Sequence, residues 1–280
     1  VDDQIEYCSD AGLDYFAHLY YHCLSPGQTD QLDFCMNYGL KYHLSSSIQN
    51  KMNFCLILSG AHIGTEPNWP YTVDKIVDIM SEDNYQTVAW GRPLIYMINP
   101  DDFKDVFGTD ADTANAIQDL RDACEDADLG DPYIACMVWY GQHNDGAAYI
   151  NNHGYDAISS YAPVSSSGYT GASYATLAAQ NVTFWNACKG TGKQVIPSLN
   201  VGWDPRPRSD PYWFMQPTAT ELKNHVAAAI DWCLDYPSTA NANAVLIYAL
   251  NEYDEGGWLD PNEGECTWRL DTVHDAMYGL

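Results

Sequence analysis

Three carboxylates occupy four positions near the C-terminal end of the chain, in the run Asn251-Glu252-Tyr253-Asp254-Glu255-Gly256. This run directly follows residues 244–249, an apolar segment that predicts a buried strand. Neighbouring carboxylates repel one another, so crowding at a strand end favours either a split in their pKa values or a shared ligand. A split in pKa values allows one carboxyl group to act as an acid and another as a base.

Hydrolysis of a glycosidic bond is a reaction that needs such a pair of carboxyl groups, one of which protonates the leaving oxygen. The spacing alone leaves two other interpretations open. The acidic run could cap the final helix, or its oxygen atoms could bind calcium, although the spacing of an EF-hand is absent.

The segments that must position these acids alternate between strand and helix patterns. Seven apolar segments predict strands, at residues 13–21, 52–58, 92–98, 133–139, 156–161, 194–199 and 244–249. Helical patterns fall at residues 3–12, 29–38, 72–80, 112–126, 173–189, 218–235 and 268–278, with Gly39 expected to follow the second and Thr72 to cap the third.

Continuous apolar strands predict a parallel sheet that is covered on both faces. Alternating strands and helices over this length give either a doubly wound sheet or a closed barrel. Because no glycine-rich phosphate-binding motif occurs, we predict an α/β fold of the (β/α)8 TIM-barrel type, whose first strand precedes residue 1. Residues 1–280 are expected to form one domain, cut from a longer secreted protein because Val1 opens directly into a helical pattern.

The composition excludes some classes of partner. The 280 residues include 38 acidic and 12 basic side chains, which give a formal net charge of −26. This charge repels phosphate backbones, so we expect no nucleic-acid partner. No apolar run reaches the roughly 18 residues of a membrane span. Aromatic residues make up 13 % of the chain, which suits either polyhydroxylated ligands or a large core.

The acidic run resembles the N-E-W-x-E-G…(I/L)-E-P motif of glycoside hydrolase family 99 and its WbsX-type relatives, with Leu259-Asp260-Pro261 as its second part. Three other segments are similar to family motifs in the same order: residues 12–16 (GLDYF), 91–96 (GRPLIY) and 202–208 (GWDPRPR). The chain departs from the motif at Tyr253, where the family has Trp, and at Asp260, where it has Glu.

The resemblance implies a (β/α)8 barrel and, in the characterised branch of the family, endo-acting cleavage of α-mannosidic bonds with retention of configuration. By position, Glu252 corresponds to the residue that polarises or deprotonates the 2-hydroxyl of the sugar. Glu255 corresponds to the general acid, and then base, at the glycosidic oxygen. The family pathway passes through a 1,2-anhydro sugar. We therefore expect a secreted hydrolase that degrades an α-linked polysaccharide or oligosaccharide, mannan-like or other.

Sugar-binding side chains are expected at the ends of the other strands and in the loops that follow them. The candidates are aromatic or polar residues in those positions: Tyr20, His22, His62, Tyr96, Trp139, Tyr161, Trp203, Asp204, Arg208, Asn251, Tyr253 and Trp258. Core packing is an equally good interpretation for most of them. Arg206 and Arg208 would serve either an anionic glycan or the neutralisation of nearby acids.

The alternative is a non-catalytic glycan-binding or polysaccharide-assembly domain on the same fold. In either case the partner is a carbohydrate, and further domains are expected in the parent protein. The sequence contains neither a phosphate cradle nor ligand spacing for zinc, so we expect no cofactor and no metal. The expected location is extracellular, periplasmic or at the cell surface, where the sequence Asn181-Val182-Thr183 would be a glycosylation site only in a eukaryotic secretory pathway.

Overall fold

The computed structural model describes residues 1–22 and 31–279, which form two compact units. The first unit contains residues 1–9, 14–138 and 145–158, and the second contains residues 10–13, 139–144 and 159–280. Among the helices of the described residues, none combines the length and the apolar composition that a membrane span requires.

The first unit carries the elements from α1 to α6. In chain order these are α1 (Asp2–Asp10), β1 (Tyr15–Tyr20), α2 (Tyr38–Leu44), β2 (Asn53–Ser59), α3 (Trp69–Met80), β3 (Thr87–Val88), β4 (Arg92–Ile98), α4 (Pro100–Phe107), α5 (Asp110–Asp126), β5 (Tyr133–Met137) and α6 (His143–His153). The strand β6 (Ala157–Ser159) closes this unit and leads into the second.

Parallel strands form the core of the first unit. The strands β1, β2, β4, β5 and β6 are neighbours in that order, and the short β3 pairs antiparallel with β4. Residues 54–58 of β2 are at most 3 % exposed, as are residues 94–97 of β4. Both faces of these strands are therefore covered, as the continuous apolar runs predict.

A salt-bridge network fixes the ends of β4 and β5 in the first unit. Arg92 and Arg121 both bind the carboxylate of Asp156, each at 2.7 Å, and both also bind Asp131. The second oxygen of Asp156 also accepts the backbone N–H of Ile134 at 2.9 Å. Each charge in this half-buried network therefore has a partner of opposite sign, so none of the four is buried without compensation.

The second unit contains the remaining elements. They are β7 (Thr170–Ala172), α7 (Tyr174–Gly190), β8 (Gln194–Val195), β9 (Ser198–Asn200), β10 (Trp213–Phe214), α8 (Ala219–Asp235), β11 (Leu246–Tyr248), β12 (Asn251–Glu252), β13 (Gly257–Trp258) and α9 (Trp268–Tyr278). The strands β9 and β11 form a parallel pair, in which Asn200 lies opposite Tyr248.

Buried hydrogen bonds fasten α7 and α8 in this unit. Ser173 caps α7, and Thr218 forms the expected capping box with Glu221 at the start of α8. Asn181, which is fully buried in α7, donates to the carbonyl of Pro163 and accepts the backbone N–H of Asn200, both at 2.8 Å. The Asn181 side chain therefore ties the helix to β9.

Most predicted elements are confirmed, with five corrections. The helix predicted over residues 29–38 lies partly outside the described residues, and in the described part α2 begins only at Tyr38. Gly39 lies inside α2, at its second residue, rather than after a helix. Thr72 is buried inside α3 instead of capping it, and its hydroxyl donates to the carbonyl of Ile63 at 3.1 Å.

The two other corrections concern residues 194–199 and the turns after strands. Pro197 lies between β8 and β9, so the single predicted strand is divided into two. The helices α4 and α6 were not predicted from the sequence. Both come soon after a strand, α4 one residue after β4 and α6 five residues after β5, where Asp, Gly and Asn residues suggest a loop.

Candidate active site

The acidic run forms a short hairpin at the end of β11. In this hairpin β12 pairs antiparallel with β13, so that Asn251 lies opposite Trp258 and Glu252 opposite Gly257. One turn of 3₁₀ helix, residues 253–255, connects the two strands. The hairpin therefore presents Glu252 and Glu255 on adjoining segments of one compact turn.

Two glycines allow the hairpin to pack against the loop at residues 202–208. Gly256 has a φ of +75°, and a Cβ atom on it would lie 2.4 Å from the backbone N of Asp204. A Cβ atom on Gly202 would lie 2.1 Å from the carbonyl oxygen of Gly256. The backbones approach closely enough for Asp204 N–H to donate to Glu255 O at 2.6 Å. Both positions therefore require glycine.

Arg208 lies at the centre of the carboxylates. Its Nε and Nη2 donate to the two oxygens of Asp254 at 2.6 and 3.1 Å, and Nη1 donates to Oε1 of Glu255. Nη2 also lies 3.4 Å from Oε2 of Glu252. One guanidinium group therefore offsets the mutual repulsion of three carboxylates, and it lowers the pKa of Asp254 through the bidentate hydrogen bonds.

Glu255 is the most buried of the three acids, with a side-chain exposure of 16 % against 24 % for Glu252 and 53 % for Asp254. Its Oε2 accepts a hydrogen bond from the hydroxyl of Tyr248, the buried last residue of β11. Burial raises the pKa of Glu255, and the charge of Arg208 opposes this rise without cancelling it. A carboxyl group with a raised pKa is suited to act as a general acid.

Glu252 is held by a second tyrosine. The hydroxyl of Tyr161 donates to Oε1 of Glu252 at 2.8 Å. The rings of Tyr161 and Tyr248 pack edge to face with their centroids 5.0 Å apart. Each of the two glutamates thus accepts a hydrogen bond from one tyrosine, and the rings of these two tyrosines pack against each other.

A second arginine–carboxylate pair lies beside Glu255. Arg206 binds Asp204 through two hydrogen bonds of 2.7 and 2.6 Å, and its guanidinium stacks over the ring of Trp213 at 3.8 Å. These hydrogen bonds lower the pKa of Asp204. We call Asp204, Arg206, Arg208, Glu252, Asp254 and Glu255 together the carboxylate–arginine cluster. Within the described part of the chain, no group of three His, Cys, Asp or Glu side chains could hold a metal ion.

Arg269 supports the hairpin from α9. It is 2 % exposed, donates to Glu265 at 2.9 Å and to Gln216 at 3.0 Å, and lies 4.1 Å above the ring of Trp258. Gln216 in turn donates to the carbonyl of Gly256 at 3.1 Å. The position of the hairpin therefore depends on a buried cation and its partners.

Several predicted binding residues lie in the second unit with the cluster. Tyr253 is 46 % exposed, and its ring lies 6.0 Å from that of Trp258 at an interplanar angle of 30°. Trp203 packs 5.9 Å from Tyr248, and its buried Nε1 has no hydrogen-bond partner in the described residues. Asn251 is exposed on β12. Trp139, also exposed, has no contact with these residues among those the structure records.

The other predicted binding residues lie in the first unit. Tyr96 is fully buried and its hydroxyl lies 3.0 Å from that of Tyr15, while Tyr20 is 1 % exposed and contacts His22. Burial lowers the pKa of His22 to about 4. These three side chains pack in the interior, which does not support direct contact with a sugar. His62 is exposed and lies 2.9 Å from the hydroxyl of Ser59.

Sequence reasoning missed Tyr248, Gln216 and Arg269. Tyr248 lies in an apolar strand, which predicts a core residue. Gln216 and Arg269 lie outside every motif identified in the sequence. The one available sign was Arg269 itself, because it is one of five arginines in the chain and follows Trp268 at the start of the last predicted helix.

No family model and no curated protein sequence matches the chain. Solved structures do. A glycoside hydrolase-like protein matches at a TM-score of 0.73 and 14 % identity, over 98 % of this chain and 84 % of the other. The endo-α-mannosidase of glycoside hydrolase family 99 from Bacteroides thetaiotaomicron matches at 0.58 and 14 %, over 99 % and 78 %.

A family 5 xyloglucanase from Paenibacillus pabuli matches at a TM-score of 0.53 and 10 % identity, over 100 % of this chain and 90 % of the other. At these identities the matches show the fold alone. One of the matching structures belongs to glycoside hydrolase family 99, the family that the sequence motifs resemble. The prediction of an α/β TIM-type barrel is confirmed, and the chain has the fold of solved glycoside hydrolases.

Proposed function

We propose that this chain is a glycoside hydrolase in which Glu252 and Glu255 carry the reaction. The observation that carries the proposal is the geometry of the hairpin. Both glutamates contact Arg208, and each accepts a hydrogen bond from one tyrosine hydroxyl. Burial raises the pKa of Glu255, which is the direction that a general acid needs. The fold shared with solved glycoside hydrolases supports the same assignment.

The chemistry follows the pathway that the motif resemblance implies. Glu252 takes the proton of the sugar 2-hydroxyl while O2 attacks C1, and Glu255 gives its proton to the leaving glycosidic oxygen. A water molecule, deprotonated by Glu255, then opens the 1,2-anhydro sugar at C1, and Glu252 returns the proton to O2. Attack by O2 requires that the 2-hydroxyl be trans to the leaving group, as it is in an α-mannoside. Two inversions at C1 give net retention.

The charges of the cluster favour a neutral glycan over an anionic one. Arg206 and Arg208 each bind both oxygens of a carboxylate through Nε and Nη2, so the edge of each guanidinium that best fits a uronate or sulfate group is already occupied. Four carboxylates face these two cations, and an anionic sugar would meet net repulsion there. The role of the two arginines is therefore to neutralise the acids. We expect this activity outside the cytoplasm, where polysaccharides are the available substrates.

Replacement of each glutamate tests the proposal. Glu252→Gln and Glu255→Gln should each lower the rate of depolymerisation by about 10²–10⁴-fold, the usual loss of general acid–base assistance. Glu263→Gln is the matched control, because Glu263 is an exposed glutamate outside the cluster, and its activity should stay close to that of the wild type. NMR of the first product anomer should give retention.

A neutral α-mannan, a uronate-containing glycan and a sulfated glycan form the substrate panel. Near-wild-type rates in both glutamine variants would contradict the catalytic assignment. Faster cleavage of the anionic glycans than of the neutral one would contradict the charge argument alone.

A non-catalytic glycan-binding domain is the second candidate, and one observation favours it. Arg208 contacts Glu255 directly, and such a contact stabilises the ionised carboxylate rather than the acid. A binding domain would show glycan affinity by calorimetry, release no reducing ends from any glycan in the panel, and keep its affinity in the Glu255→Gln variant.

A further inference from the structure

Tyr248 is more buried than Tyr161 or Arg208, the other two side chains described as hydrogen-bonded to the glutamates. It is 2 % exposed, and its backbone is fixed by the parallel pairing of β11 with β9. Its ring packs between Tyr161, at a centroid distance of 5.0 Å, and Trp203, at 5.9 Å. This packing places the phenolic oxygen against Oε2 of Glu255.

The two oxygens of Glu255 have partners of different kinds. Oε1 faces Arg208, whose guanidinium can only donate hydrogen bonds. Oε2 faces the hydroxyl of Tyr248, which can either donate or accept. A proton on Oε1 would point at a cation, whereas a proton on Oε2 would meet a hydroxyl that can turn to accept it.

We propose that Tyr248 is the positioning residue of the general acid, and that it directs the acidic proton of Glu255 to Oε2. This inference rests on the proposed function. With Glu255 ionised, the phenol donates to Oε2; with Glu255 protonated, it accepts from Oε2–H. When the glycosidic C–O bond breaks, the proton passes from Oε2 to the leaving oxygen and the phenol turns back to donate. Tyr248 loses no proton in the cycle.

The Tyr248→Phe variant tests this inference because it removes the hydroxyl and keeps the ring. Hydrogen bonds to a charged group are stronger than those to a neutral group. Removal of the hydroxyl therefore takes more stabilisation from the ionised form of Glu255 than from the protonated form. The pKa of Glu255 should rise by about one unit, equivalent to a tenfold change in the ionisation equilibrium. The measurement is a ¹³C NMR titration of the glutamate carboxyl groups in the full chain, with the Glu255 signal assigned by Glu255→Gln.

Activity provides the second readout. The alkaline limb of the pH profile of kcat/KM reports the acid, so it should move upward with the NMR titration, and kcat should fall roughly tenfold. Tyr161→Phe removes a hydrogen bond to Glu252 instead, so it should leave the Glu255 titration in place.

Tyr174→Phe is the matched structural control. Tyr174 is also buried in the second unit, and its hydroxyl donates to the carbonyl of Asn200 at 2.8 Å without touching the glutamates. This variant should lose stability with no shift in the Glu255 titration. If the folded Tyr248→Phe variant behaves in the same way, Tyr248 is a packing residue and the inference is overturned.

A measurement on the wild type covers the case in which Tyr248→Phe does not fold. With ¹³Cζ-labelled tyrosine, one ring signal should titrate with the midpoint of Glu255 and should stop titrating in Glu255→Gln. The absence of such a signal would also overturn the inference. Neither NMR experiment needs a substrate, so these experiments test the role of Tyr248 independently of activity. Failure of the chain to cleave any glycan would count against the proposed function alone.

Discussion

Replacing Gly256 with alanine should displace the acid without touching a charged group. Gly256 has a φ of +75°, and its added Cβ would lie 2.4 Å from Asp204 N, where 3.4 Å is ordinary contact. The loop and the hairpin must therefore separate by about 1 Å, and the hydrogen bond from Asp204 N–H to Glu255 O is stretched. The left-handed conformation costs about 1–2 kcal/mol for alanine, and the overpacking adds about 1–3 kcal/mol.

Gly192 provides the control for the backbone cost. Its φ is +74°, and nothing lies within 4 Å of the position that its Cβ would take. Gly192→Ala should therefore lower the free energy of unfolding by about 1–2 kcal/mol only. The difference between the two variants isolates the steric overlap between the hairpin and the loop.

Urea denaturation and steady-state kinetics measure the two effects. Gly256→Ala should be less stable than Gly192→Ala by about 1–3 kcal/mol, and it should lose roughly 10²-fold in kcat, the cost of a misplacement of about 1 Å. The Gly192 variant should keep wild-type kinetics. Equal stability and equal kcat in the two variants would refute the reasoning, because the close approach at Gly256 would then have no energetic consequence.

Two further predictions follow, one for each unit. In the first unit, Asp156→Asn removes one of the two carboxylates that Arg92 and Arg121 share. It should lower the free energy of unfolding by about 3 kcal/mol, measured in urea, and a loss below 0.5 kcal/mol would contradict the network's role. In the second unit, burial lowers the pKa of His225 to about 4, so the unfolded chain binds a proton that the folded chain does not as the pH falls from about 6.5 to 4. By pH 5 this should cost about 2 kcal/mol of stability, and His225→Gln should show a flatter dependence of unfolding free energy on pH between 7 and 5.

The secondary structure was predictable where local chemistry decides it. The capping box at Thr218 and the apolar run of β2 determine their elements without help from distant residues. Gly39 lies inside α2, so its interpretation as the residue that ends a helix was wrong. The helices α4 and α6 were missed because polar residues that suggest loops also serve as helix caps and solvent-facing positions.

The candidate site was predictable only in its parts. The run that contains Glu252 and Glu255 and the segment that contains Arg208 both stand out in the sequence, but more than 40 residues separate them. Only the folded chain brings the guanidinium onto the two glutamates. Tyr248 could not have been separated from core tyrosines such as Tyr96, because both lie in apolar strands and differ only in what the hydroxyl meets.

The burial of Asn181 has a practical consequence for producing this protein. Its sequence Asn181-Val182-Thr183 would be modified in a eukaryotic secretory host before folding, and a glycan on the amide nitrogen cannot fit where that nitrogen donates to Pro163. The glycosylated chain could not close α7 onto β9. Thr183 is exposed, and its hydroxyl bonds only within its own helix, to the carbonyl of Ala179. Thr183→Ala therefore removes the acceptor sequence and allows expression in yeast or mammalian cells without harm to the fold.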